Sequence, residues 1–232
     1  MIELYPPEKY YSKVPLGGPL QGQLHPVGHF FWAPVLKTVE RNPTTELRAR
    51  YNSATKNYDI ETARAGCKEF DESREPVKEL DLRAKERALI VPAKKRPVIV
   101  VSTHLQPPDA GGRKFGDACL VAPLYSFEGD EHKASYPEPF IERVKGYVYE
   151  QFFYVPACSD PYCKEGFVRF DRIQPINKNW LEHRGSALSD DMLEYFQIWL
   201  WHFLGAELVY LSEKLFLYRE AKMKALGLTT GK

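Results

Sequence analysis

The 232-residue chain has little that would tie it to a membrane or give it a long-range electrostatic field. No uninterrupted apolar run approaches the roughly 20 residues needed to span a bilayer. The opening M-I-E-L-Y-P-P-E-K-Y-Y has no apolar core behind a basic start, as a secretory leader would. A cytoplasmic location with no membrane partner is therefore expected. The 32 lysines and arginines nearly cancel the 31 aspartates and glutamates, leaving a formal net charge of +1. A histone-like or coating role needs a strong overall field and is disfavoured, so any anion site has to be a local cluster.

Cysteine is scarce too: Cys67, Cys119, Cys158 and Cys163 are the four, a usage that fits a reducing compartment. Cys158 and Cys163 form the one close pair, in C-S-D-P-Y-C, whereas structural zinc wants two such pairs. The expectation is two free thiols in a loop, with no metal site and no cofactor.

What the chain does have is 44% hydrophobic and 13% aromatic residues, enough for a substantial core. Residues 94–126 organise it. K-K-R-P-V-I-V-V-S opens with three cations and a proline, then runs into β-branched residues, which predicts a buried strand over 98–101. A loop rich in proline and glycine follows over 106–116, and residues 119–124 form a second apolar run of strand length. Two core strands with a basic rim result.

Around that centre the pattern predicts an irregular arm over 1–27 and a strand over 30–36, bulged near Pro34. Residues 40–60 are polar with turn residues throughout, and helices are expected over 60–70 and 77–89. An acidic loop then leads to a strand over 144–156. G-F-V-R-F-D-R-I, from Gly166, alternates as a half-buried strand with an arginine-bearing face. Ser189, followed by Asp190 and Asp191, starts a helix that runs to about Gly205, and a second helix is expected over 207–226.

Three segments in this order resemble the MazF/PemK family of toxin endoribonucleases. They are G-H-F-F-W-A at 28–33; R-P-V-I-V-V-S at 96–102 with L-V-A-P-L-Y-S at 120–126; and G-F-V-R-F-D-R-I-Q-P-I at 166–176, followed by a short helical W-L-E-H-R-G and the helix ending in L-G. The likeness covers roughly residues 28–36 and 94–205. It implies an α+β chain built on a small antiparallel SH3-like barrel at 28–205, with an insert at 37–93 and a helical extension at 206–232. It also implies cleavage of single-stranded RNA without metal, a homodimer, and a cognate antitoxin as partner.

Carried over by position, Arg96 matches the family's arginine at the scissile phosphate. The family's threonine falls on Tyr125, with Ser126 one residue on, and the aspartate of the opening strand falls on His29. Arginine suits the phosphate because its fixed fork donates two hydrogen bonds. His104 and His29 are the acid–base candidates, and Lys94, Lys95, Arg113 and Lys114 would hold flanking phosphates. The alternative is a barrel of the same kind that binds nucleic acid or protein without cleaving, since fold does not decide activity.

Overall fold

Strand formation starts from the β-branched and aromatic runs, and the computed structural model shows which neighbours satisfy them. It describes residues 9–14, 27–36, 45–52, 54–55, 57–64, 88–103, 118–129, 135–159, 162–206 and 213–228. The chain is α+β, with a mostly antiparallel main sheet and three α-helices among the described residues, and it divides into two units: residues 1–33 with 95–232, and residues 34–94. In chain order the strands are β1 (Tyr11–Lys13), β2 (His29–Leu36), β3 (Thr45–Asn52), β4 (Asn57–Arg64), β5 (Ala88–Ile90), β6 (Ala93–Ser102), β7 (Ala118–Ser126), β8 (Phe152–Val155), β9 (Cys158–Ser159), β10 (Tyr162–Cys163), β11 (Gly166–Arg169), β12 (Gln174–Asn177) and β13 (Glu182–Leu188). The helices are α1 (Glu138–Lys145), α2 (Asp190–Phe203) and α3 (Glu213–Ala225).

Among the described residues the main sheet has eight strands, in the order β1-β13-β2-β6-β7-β11-β8 with β12 also on β7. Among the described residues this path is open, with β1 at one end and β8 at the other. Strand β7 is its hinge. It pairs β6 along one edge, and along the other it takes β11 near Leu124–Ser126 and β12 near Ala118–Val121. A 3-10 turn at Phe170–Arg172 separates those two partners, so one strand direction is broken into two.

Alternation along the strands sends side chains to two cores. Ile99, Ala122, Leu124, Phe153, Val155 and Val168 face Met192, Phe196, Trp199 and Leu200 of α2 and Leu215 and Tyr218 of α3. Tyr125, Phe127, Phe152 and Phe167 face Phe140, Ile141 and Val144 of α1. Helix α2 starts where its sequence says it should: the Ser189 hydroxyl accepts a hydrogen bond from the Met192 N–H at 3.4 Å, with Asp190 and Asp191 in the first turn. It ends before Gly205, which sits at φ +76°. Helix α3 is tied down by polar contacts as well as by Leu215. Tyr218 donates to the Lys145 carbonyl, while the Arg219 guanidinium donates to the Tyr147 carbonyl and lies over the Trp199 ring.

Several expectations are corrected. Residues 60–64, expected as the start of a helix, fall in strand β4, and 45–52, expected to be unpatterned, are its partner β3. Their register runs without slip from Thr45 opposite Arg64 to Asn52 opposite Asn57. Residues 88–89, expected as the end of the second helix, fall in β5 beside β3; the rest of the expected helices, 65–70 and 77–87, lies outside the described residues. Val144 belongs to α1, not to a strand, because proline at the first helical turn starts a helix there and Tyr147 at φ +54° turns the chain before β8. In the N-terminal arm, Tyr10 and Tyr11 are buried and β1 pairs β13. The helical part of the segment after Ile176 is confined to a 3-10 turn at Lys178–Trp180, and residues 182–188 are strand β13.

The β7–β11 pairing needs a residue without a side chain at Gly166. A methyl group there would run into the Tyr125 carbonyl oxygen and lie 2.9 Å from its carbon. Gly166→Ala is expected to cost about 2–3 kcal/mol or more, as overpacking against backbone does, measured as a fall in the denaturant midpoint at unchanged slope.

Candidate functional site

Arg96 enters from β6, whose pairing with β7 runs from Val98↔Pro123 to Ser102↔Leu120. Continuing that register by two residues places Arg96 opposite Tyr125. The side chains agree: the guanidinium carbon lies 4.5 Å from the centre of the Tyr125 ring. On the other edge of β7, Phe167 pairs directly with Tyr125 and its ring stacks on it at 5.9 Å. Arg169, two residues along β11 and so on the same face, puts its own guanidinium 5.5 Å from the Tyr125 ring and 5.6 Å from Phe152. One tyrosine thus carries two arginines, supplied by the strands on either side of its own.

The two arginines are held differently. Arg169 donates to both carboxylate oxygens of Asp171, the Nε bond measuring 3.0 Å, and Arg172 approaches the same carboxylate at 3.7 Å. Arg96 is half-buried, and among the described residues no carboxylate pairs with it; the tyrosine ring positions it. A guanidinium lying over a ring keeps its in-plane N–H groups available, the edge that recognises phosphate or carboxylate. Among the described residues, three arginines, Arg96, Arg169 and Arg172, thus gather near Tyr125 and Asp171.

The other expected site residues scatter. Ser126 is one residue from Tyr125 and so points to the opposite face, where its hydroxyl accepts the Glu128 N–H at 3.1 Å. His29 lies on β2, with its ring 5.9 Å from that of His183. The neighbouring Gly28 N–H bonds to the Val100 carbonyl, four residues or about 13 Å along β6 from Arg96. Burial lowers the pKa of His183, and its Nδ1 accepts the Gly185 N–H, so this pair is built into the β2–β13 bulge. Lys95 faces away from Arg96 and forms an exposed ion pair with Glu182 at 2.5 Å. Lys94 is exposed and is the last residue of the other unit. His104, Arg113 and Lys114 lie outside the described residues.

Arg169 is the residue that the positional carry-over missed. The signal was present in G-F-V-R, where the period of two puts Phe167 and Arg169 on one face, and in Asp171 two residues on. Among the described residues, no group of three or more His, Cys, Asp or Glu side chains could hold a metal ion, and no helix is long and apolar enough to cross a membrane.

If the ring is what seats Arg96, Tyr125→Phe should unfold like the parent chain, whereas Tyr125→Leu should lose about 1–2 kcal/mol through the missing stacking and cation–π contacts. Paired chemical denaturation curves check this. Equal losses in both variants would instead give the hydroxyl the structural role. Comparison of the chain with protein-family models, with curated proteins and with solved structures finds no match in any of the three.

Proposed function

We propose that this protein is a MazF/PemK-like endoribonuclease that cleaves single-stranded RNA by metal-independent attack of a ribose 2′-oxygen. One observation carries the reading: Arg96, the arginine before proline, is held by the Tyr125 ring and has no carboxylate partner among the described residues. In the reaction the 2′-oxygen bonds to phosphorus as the 5′-oxygen leaves, giving a 2′,3′-cyclic phosphate. Negative charge builds on the phosphoryl oxygens, and a fixed guanidinium edge stabilises it. Arg169, whose fork is engaged by Asp171, borders the same ring and contributes less than Arg96. The Tyr125 hydroxyl stands where the family resemblance would put a threonine.

The sheet geometry is compatible with the finer fold reading, a small SH3-like barrel, because β7 gives its edge to β11 and then to β12 across a sharp break. The reading as a toxin with a homodimeric state and an antitoxin partner is supported by Trp201, Leu204 and Leu217, which stand exposed on and beside the terminal helices. A cytoplasmic location belongs to the same reading.

A second reading, a nucleic-acid-binding module without cleavage, is favoured by one feature. The Tyr125 ring is engaged by Phe167 as well as by Arg96 and is only 9% exposed, which suits a structural seat better than a reacting group.

Arg96→Ala should reduce metal-free cleavage of a mixed single-stranded RNA by about 100-fold or more, as loss of a charge-stabilising donor does. Arg169→Ala should lose less, and expression of Arg96→Ala should no longer arrest growth. Binding of an uncleavable 2′-deoxy analogue, followed by fluorescence anisotropy, should weaken in both variants, with a salt dependence shallower by roughly one phosphate contact. If the parent protein leaves every RNA intact but binds the analogue through Arg96, the second reading replaces the first. If it neither cleaves nor binds, both fail.

A further inference from the structure

Strands β8 and β11 are the inner part of a longer hairpin. The register that pairs Phe152 with Arg169 and Val155 with Gly166 continues without slip to Cys158↔Cys163 and Ser159↔Tyr162. The two cysteines, separated by four residues in sequence, therefore face each other directly across β9 and β10. Neither is in a disulfide. Directly opposed residues of an antiparallel pair have Cα atoms about 4.5 or 5.5 Å apart, depending on whether the pair exchanges hydrogen bonds. Both values lie inside the roughly 4.4–6.8 Å that a disulfide accepts, so the bond needs side-chain rotation and no rearrangement of the strands.

The surroundings divide the labour between the two sulfurs. Cys158 is half-buried and the more open to solvent, whereas Cys163 is 6% exposed and packs into the core beside Tyr11. Burial raises the pKa of the Cys163 thiol, with Tyr11 and Arg184 acting in the opposite direction. A dissolved oxidant thus reaches Cys158 first, and Cys163 is the thiol positioned to answer it.

We propose that Cys158 and Cys163 are a peroxide-responsive dithiol that closes to an intramolecular disulfide, a modification site at the outer end of the hairpin that carries Arg169. The Cys158 thiolate attacks one oxygen of hydrogen peroxide, breaking the O–O bond. This gives a sulfenic acid, and the released hydroxide takes up a proton to leave as water. Cys163 sulfur then attacks the Cys158 sulfur, expelling the second oxygen as water. Overall, two thiols and one peroxide become one disulfide and two waters, with sulfur oxidised and peroxide oxygen reduced. The inference stands on the strand register and does not depend on the RNA reading.

Both cysteines fall in a single tryptic peptide that ends at Lys164. The test treats the folded full-length chain with stoichiometric hydrogen peroxide, alkylates it under denaturing conditions, and maps its peptides by mass spectrometry. The expected product is this peptide two hydrogens lighter than the dithiol and unreactive to alkylation until dithiothreitol is added. Cys163→Ser should instead leave Cys158 as a sulfenic or sulfinic acid, and Cys67→Ser should leave the product unchanged. Recovery of both cysteines fully alkylated, of Cys158 joined to Cys67 or to a second chain, or of sulfinic acid in the parent protein would overturn the proposal.

Discussion

Strand β7 is buried on both faces and shares both edges, so each side chain it carries is fixed by neighbours on β6, β11 and β12. Its even-numbered residues Ala122 and Leu124 belong to the core under α2 and α3, and its odd-numbered Tyr125, with Phe127 just past the strand end, to the core under α1. A slip of one residue would exchange the two sets and expose or misplace every one of them. Gly166 locks that register, because backbone approaches it where any side chain would have to go. The position of Tyr125, and through it the seat of Arg96, thus follows from the packing of the whole sheet.

Seating an arginine on a ring differs in consequence from seating it on a carboxylate. A buried carboxylate would hold the guanidinium more strongly, but it would consume the fork that a phosphate needs and cancel the charge. A ring contact is worth about 0.5–2 kcal/mol and leaves the fork and the charge in place. The molecule uses both solutions side by side. Arg169 is clamped by Asp171, and Arg96 lies on Tyr125 with no such clamp among the described residues. An incoming anion would therefore meet Arg96 with its donor edge available, beside an Arg169 whose fork is already engaged by Asp171.

Legibility in the sequence follows the strength of the local signal. Strands β2, β6 and β7 carry dense β-branched and aromatic runs, and the Ser189 cap with its two aspartates announces α2; these elements were readable. Helix α1 was hidden because its only marks are the prolines in Y-P-E-P-F, which also suit a loop, and because its apolar Phe140, Ile141 and Val144 blend into the aromatic run that follows. Strands β3 and β4 were hidden because their alternation sits among charged residues, so that the period of two passes for the scatter of a polar loop. The pair Arg96 and Tyr125 was named from sequence as two separate candidates; that one lies on the other could come only from register. The face of Ser126 follows from the same register, since a strand residue and its successor cannot share a face.

The cysteine pair makes the same point with different chemistry. C-S-D-P-Y-C in one dimension offers two thiols at a spacing that fits no common zinc pattern, and nothing in the string says whether they meet. Folded, the motif is the outer end of a hairpin whose inner end pairs Phe152 with Arg169, and that one register makes opposition of the cysteines a consequence of how β8 pairs with β11. A one-residue slip of β8 against β11 would separate the two sulfurs and leave Arg169 where the β11–β7 register holds it. Opposition of the sulfurs therefore follows from how the hairpin pairs with itself, whereas the arginine patch follows from how β6 and β11 pair with β7, so either arrangement can be lost by a register change that leaves the other intact.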